Sequence, residues 1–214
     1  MPDKNVETDK CSKAIYSFIS AYAKTIKNKS IMDVGCGTGL YTSIFNINKN
    51  KIFGLDIDDH RKKEYQANFI FKKYGGNKIP FRSNYFDFVV SFDVLEHVED
   101  DVNFIKEINR VIKKGGQCLI TTPNRYRLSN FIKILIGQAP KYPLLLADEG
   151  HLGKQVHIRE YTKSDLKNLF QNIKVNNLRI KPFWFGLRGN LNTGLEKPFI
   201  PFLSQYWFIS YNKK

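Results

Sequence analysis

Apolar positions along the chain recur first at helical spacing and then in short unbroken runs. Ile15, Phe18, Ile19, Tyr22 and Ile26 share one face of a 3.6-residue period, which predicts an amphipathic N-terminal helix over residues 5–28. Ser30 to Gly35 reads as a short buried strand, Thr38 to Ile47 as a helix, and Lys51 to Ile57 as a second strand. A charged helical patch at Asp59 to Gln66 and a third strand at Asn68 to Lys73 follow. FDFVVSF, Phe86 to Phe92, is an apolar strand. The next helix takes Asp100 or Asp101 as its N-cap and Val102, Ile105, Ile108 and Ile112 as its stripe. Lys113 and Lys114 suit its last turn, and Gly115-Gly116 its end. Gln117 to Thr122 is another strand, cut off by Pro123.

After Asn124 the pattern changes. Arg125 to Gly137 predicts a helix, and Ala139 to Val156 is long and irregular, with Pro140 and Pro143. Such length in a compact domain suits a lid or binding loop, here expected over residues 125–161. Thr162 caps a helix through Phe170, and Lys174 to Lys181 and Gln205 to Tyr211 form two closing strands. With no internal repeat and no linker, residues 1–214 read as a single domain.

Strands alternating with helices imply an α/β fold: a doubly wound, mostly parallel sheet with helices on both faces. Ligands of such sheets sit beyond the carboxyl ends of the strands. Gly35 to Gly39, Asp56, Phe92 to His97 and Pro123-Asn124 all fall at such ends, so four loops converge on one crevice.

The 214 residues are 42% hydrophobic and 25% charged, which excludes a disordered or collagen-like chain. No apolar run is long enough to span a bilayer, and the polar start MPDKNVETDKCSK has no signal-peptide core, so a cytoplasmic location is expected. Three separated cysteines, Cys11, Cys36 and Cys118, make neither a disulfide framework nor a metal knuckle. A net charge of +14 points to an anionic partner such as nucleic acid, an acidic membrane or a phosphorylated substrate. The lysines are scattered in a Lys-, Asn- and Ile-rich chain, so compositional bias is the preferred account of the charge.

IMDVGCGTGLYT, starting at Ile31, puts three glycines between a strand and a helix. That arrangement brings backbone N–H groups and a helix start to a ligand. Asp56, at the end of the next strand, suits a ribose diol. The dinucleotide fingerprint G-x-G-x-x-G fails here, because Leu40 stands at its third glycine position. That disfavours a pyrophosphate ligand.

These residues resemble the class I S-adenosylmethionine-dependent methyltransferases. IMDVGCGTGLYT is similar to their first motif and GLDID to their ribose-binding segment. IPFRSNYFDFVVSFDVLEHVED and FIKEINRVIKKGGQCLITTPN resemble their fourth- and fifth-strand units, and HIREYT their re-entry into the core. The resemblance implies a Rossmann-like seven-stranded sheet with an antiparallel strand at the C-terminus. It implies S-adenosyl-L-methionine as cofactor and S-adenosyl-L-homocysteine as product.

It also implies residue roles. Gly35, Cys36, Gly37 and Gly39 would lie along the methionine part, Asp33 would orient its amino group, and Asp56 would bind the ribose. Ile57 would lie on adenine, with Asn77 in place of an acid that relatives often carry near the adenine amino group. Ser91, Phe92 and Asp93 would line the methionine end. The chain lacks D/N-P-P-Y/F after the fourth strand, which disfavours nucleic-acid-base or glutamine N-methylation. The acceptor expected is an oxygen or carbon of a small-molecule or lipid-like compound, with RNA methylation and a non-catalytic cofactor-binding subunit as alternatives.

For the chemistry, His151, His97 and Glu96 are the candidates. Asp93, Glu96 and His97 form D-x-x-E-H, similar to E-x-x-E-H of ubiquinone-biosynthesis O-methyltransferases, where it accompanies a divalent metal. The local reading instead has Glu96 and His97 holding the loop, and no metal is assigned. His151 on the lid is the preferred base, and His157 in HIREYT is expected to be structural. The C-terminal aromatics, Phe183 to Phe185, Phe199, Phe202 and Tyr206 to Phe208, read as packing. With Lys181, Arg188, Lys197, Lys213 and Lys214 they also suit peripheral contact with an anionic membrane or polyprenyl substrate.

Overall fold

The period-two alternation of strand side chains sets the layering of the molecule. The computed structural model describes residues 9–145, 156–187 and 193–214. In β1 (Ser30–Val34) Ile31 points to one face, while Met32 and Val34 point to the other. In β2 (Lys51–Asp56) Ile52 and Phe53 divide the same way, as do Phe88 and Val89 in β4 (Phe86–Phe92). Both faces therefore need a cover.

One face is covered by α1 (Lys10–Ala23), which buries Cys11, Ile15 and Ile19 against Ile31, Phe88 and Val90. Asp9 caps it by accepting from the Ser12 amide, and it stops at Ala23, short of the expected residue 28. The short α2 (Leu40–Ile44) lies on this side too. The other face is covered by α3 (Asp101–Val111) and α5 (Lys163–Phe170). Asp100 caps α3 through the Asn103 amide. Thr162 and Asp165 form the capping box of α5. Burial of a side chain such as Ile105 or Leu166 contributes roughly 1.5–3 kcal/mol.

The seven-stranded sheet has the order β3-β2-β1-β4-β5-β11-β8, with β3 at Ile70–Lys73, β5 at Ile112–Pro123, β8 at Val175–Phe183 and β11 at Tyr206–Lys213. Only β11 runs antiparallel, pairing so with both β5 and β8. The order reverses between β1 and β4, which opens the ligand crevice there. Smaller pieces complete the fold: α4 (Leu128–Leu135), β6 (Leu144–Leu145) paired with β7 (Val156–His157), and β9 (Phe185–Leu187) paired with β10 (Thr193–Leu195). Among the described residues no helix is long and apolar enough to cross a membrane.

Three local expectations are corrected. Helix α3 ends at Val111, and its buried stripe is Phe104, Ile105, Ile108 and Val111, whereas Val102 is exposed. Lys113 to Gly116 already belong to β5, because Ile112 is buried and Lys113 pairs with Asp87 of β4 rather than with the helix end. The charged patch at Asp59 to Gln66 becomes a 3-10 turn at Lys63–Asn68. The helix expected over Thr38 to Ile47 shrinks to the five residues of α2.

Candidate functional site

The glycine turn connects β1 to α2 and turns back on β2. Gly35, Gly37 and Gly39 all have positive φ, at 82°, 47° and 87°. Gly35 is also fixed by space, since a Cβ there would fall 2.2 Å from Val94 Cγ2. The chain following β4 thus presses directly on the glycine turn.

Four of the turn's amides bond within the protein. Gly35 N–H and Cys36 N–H both donate to the Leu55 carbonyl, and Gly39 N–H donates to that of Cys36. Gly37 N–H donates to Asp56 Oδ2 at 2.7 Å. These four bonds fix the shape of the turn, and the helix α2 that follows it begins at Leu40. Cys36 is buried, and burial pushes its thiol up, so it sits as a packed, protonated side chain.

Asp56 also accepts from its own neighbour, Ile57 N–H, at 2.7 Å. Each carboxylate oxygen keeps a second lone pair for a hydroxyl. Ile57 is 61% exposed beside it, an apolar surface at the crevice that nothing in the core explains. Asp33 is buried, with Oδ2 accepting from Thr42 Oγ1 at 2.6 Å. Its Oδ1 has no hydrogen-bond partner among the described residues, which fits an ammonium-bearing ligand. Burial pushes Asp33 up to about 7, with the Thr42 hydroxyl pulling down and the Asp56 charge adding to the rise. Asn77 is exposed in the loop after β3, where its carbonyl accepts from Asn103 Nδ2.

The segment after β4 carries the chemistry-bearing side chains. Asp93 has φ 54° and accepts from Thr121 Oγ1, which turns it away from the next residues. Leu95–His97 is a 3-10 turn, so the i, i+3, i+4 face expected for D-x-x-E-H does not form. His157, from β7, takes the place expected of Asp93. Glu96 Oε1 lies 4.0 Å from His97 Nε2 and 3.9 Å from His157 Nε2. The three ligand atoms fall within 4.8 Å of one another.

The outer partners of this cluster are already in place. His97 Nδ1 meets the Val156 carbonyl at 2.8 Å, and His157 Nδ1 meets Glu160 Oε1 at 2.9 Å. Both rings therefore turn Nε2 inward. Thr122 Oγ1 donates to Glu96 Oε2 at 2.9 Å, and Arg127 and Asn130 hold Glu160. Glu96 is fully buried and its Oε1 has no hydrogen-bond partner among the described residues. Burial, with Asp93 adding to it, pushes the Glu96 carboxyl well up. Burial pushes His97 down, against the pull of the Val156 carbonyl. One carboxylate oxygen and two imidazoles backed by second partners fit a divalent transition ion, which they would surround at about 2.0–2.2 Å.

The structure brings together Asp33, the three glycines, Asp56 and Ile57 along the crevice, with Glu96 and His97 at its β4 side. It gives the other two residues expected at the methionine end protein partners of their own. Ser91 is buried and donates to the Val34 carbonyl, tying β4 to β1. Phe92 packs edge-on against Tyr41, 5.5 Å between centroids. His151 lies outside the described residues, as do residues 146–155 of the expected lid. His157, Glu160 and Thr122 were not singled out as functional by the sequence. The H-x-x-E spacing of His157 and Glu160 was the one available signal.

The comparisons with known proteins agree with this geometry. A family model described as a methyltransferase domain matches residues 7–179. A ubiquinone biosynthesis O-methyltransferase from Nitrosomonas europaea is 26% identical over 145 residues, covering 63% of this chain and 59% of that protein. The human mitochondrial ubiquinone biosynthesis O-methyltransferase is 31% identical over 126 residues, covering 54% and 34%. A probable S-adenosylmethionine-dependent methyltransferase from Mycolicibacterium smegmatis is 30% identical, covering 47% of this chain and 40% of that protein. The matched region thus spans less than two thirds of each of these relatives. Among solved structures, a SAM-dependent methyltransferase from Thermotoga maritima, described as a possible histamine N-methyltransferase, shares the fold. Its TM-score is 0.67 at 17% identity, over 94% of this chain and 90% of that one. The glycine turn, the acid after β2 and the matched family model lead to one conclusion: the chain belongs to the class I S-adenosylmethionine-dependent methyltransferases.

Proposed function

We propose that this chain transfers the methyl group of S-adenosylmethionine to a hydroxyl oxygen of a small-molecule, lipid-like acceptor. The observation that carries this reading is the inward-facing set Glu96, His97 and His157, of which Glu96 stands two residues beyond the Val94 that packs on the glycine turn. The names of the relatives support oxygen as the acceptor atom.

In this reading Asp33 Oδ1 receives the amino group of the donor, Asp56 accepts from its ribose hydroxyls, and Ile57 covers adenine. Gly35, Gly37 and Gly39 let the backbone approach the methionine part, and Asn77 stands near the adenine end. The donor supplies a methyl group made electrophilic by a sulfonium. An acceptor oxygen displaces it in line, the S–C bond breaks, and a neutral thioether leaves. Most of the acceleration comes from alignment and exclusion of water.

A hydroxyl acceptor must also lose its proton. His97 is suited to take it at Nε2: a quarter of its side chain is exposed, and its lowered pKa keeps it neutral near pH 7. Glu96 and His157 hold that ring in place. When bound, a divalent ion at Glu96 Oε1 and the two Nε2 atoms would lower the pKa of the acceptor hydroxyl instead. The test is incubation with methyl-labelled S-adenosylmethionine and a panel of catechols and phenols. Label in a new methoxy group supports the reading, and label on nitrogen or carbon alone contradicts it.

A further inference from the structure

The apolar surface of the molecule is concentrated at helix α4. Residues 132–139 are all exposed, and Ile132, Ile134, Leu135 and Ile136 are among them. Ile132, Leu135 and Ile136 stand at i, i+3 and i+4, so they form one ridge. Leu135 is 71% exposed and Ile136 61%. The helix is anchored beside and behind this ridge. Asn130 is buried and donates to the Arg125 carbonyl and to Glu160, and Phe131 meets Phe202 edge-on at 6.0 Å. Phe202, itself half exposed, extends the ridge onto the segment before β11.

The charge along this segment has one sign. From Arg125 through Leu145 the sequence holds Arg125, Arg127, Lys133 and Lys141 and no acid at all. Arg125, Lys133 and Lys141 are exposed. An apolar ridge on a segment whose own charges are all cations matches the interface of an anionic bilayer, where the side chains enter the acyl boundary and the cations meet phosphate headgroups. The aromatics that the sequence offered for this role are mostly core: Phe183, Trp184, Tyr206, Trp207 and Phe208 are buried.

We infer that helix α4 docks this protein on anionic membrane surfaces through Ile132, Leu135, Ile136 and Phe202. The docking helix is bolted to the reactive corner. Arg127, just before its first turn, pairs with Glu160, and Glu160 holds His157. A bilayer under α4 therefore lies next to the histidine cluster, where a lipid-like acceptor would arrive. The inference stands apart from the methyl-transfer reading, because membrane binding is measured with neither donor nor acceptor present.

The experiment is co-sedimentation of the whole chain with vesicles of equal phosphatidylcholine and phosphatidylglycerol, compared with phosphatidylcholine alone. Binding is expected to the mixed vesicles and to weaken as salt rises. Leu135→Ser with Ile136→Ser should lower the partition coefficient about tenfold or more. Their thermal unfolding temperature should stay that of the wild type, since both side chains face solvent. Lys133→Glu with Lys141→Glu should reduce binding to the anionic vesicles only. Absence of binding to either vesicle, or binding undiminished in the serine variant, overturns the inference. So does a wild-type dimer that the serine variant converts to monomer, which would assign the ridge to a second copy of this chain.

Discussion

Gly37 and Asp56 are joined: the Gly37 amide donates to Asp56 Oδ2 at 2.7 Å. The tip of the glycine turn and the end of β2 therefore form one unit, and the acid assigned to the ribose also sets the shape of the loop beside it. Asp56→Ala removes both functions. Its affinity for S-adenosylhomocysteine should fall about ten- to a hundredfold, as expected for loss of two hydrogen bonds to a charged group. Asp56→Asn, which can still accept, should lose less. Equal affinity in wild type and Asp56→Ala would remove the ribose assignment.

Gly35 is held by φ 82° and by Val94, 2.2 Å from where a Cβ would stand. Gly35→Ala should destabilise the fold by about 1–3 kcal/mol, from the strained φ and the clash together. Adding Val94→Ala should recover the clash but leave the cost of φ. Urea unfolding of the single and double variants separates the two. No recovery in the double variant would show that Val94 is not the obstacle.

Much of this was legible in the sequence because the signals are local. The glycine spacing, the acid in GLDID, the Thr162 cap and the apolar run FDFVVSF each depend on neighbours within a few residues. The sheet order and the antiparallel β11 followed from the family resemblance rather than from any one segment. The misreadings come from tertiary context. Lys113 to Gly116 looked like a helix end, but burial of Ile112 and the Asp87 partner draw them into β5. His157 lies sixty positions after His97, so no spacing rule could pair their rings, which meet at 4.9 Å.

Asp33 gives a pH dependence with a defined sign. Burial raises it to about 7 in the fold, from an ordinary 3.8. In the ligand-free protein its contribution to stability is full below about pH 4 and is lost as pH rises through about 7. An amino group arriving at Oδ1 favours the carboxylate, so donor binding should release a proton. The affinity for S-adenosylhomocysteine should therefore rise across about one pH unit either side of 7. Calorimetry at pH 7 in two buffers of different ionisation enthalpy measures the release. Heat that is independent of the buffer, or unchanged by Asp33→Asn, would exclude Asp33 as the group.

The Glu96, His97 and His157 cluster predicts metal content. Dialysis against zinc or manganese, then against buffer, should leave about one ion per chain by mass spectrometry. Glu96→Gln should leave less than wild type, and Glu160→Gln should weaken retention by about ten- to a hundredfold through the freed His157 ring. Turnover should fall on chelation and return with the ion. A chain that holds no ion and turns over unchanged in chelator leaves His97 as the base without a metal.

The central claim is that the glycine turn and Asp56 hold a sulfonium nucleoside rather than a dinucleotide. The most direct measurement is calorimetric titration of the wild-type chain with S-adenosylhomocysteine and, separately, with NAD. Binding of S-adenosylhomocysteine at one site per chain with no heat from NAD is the predicted result. Heat from NAD with none from S-adenosylhomocysteine would contradict the account.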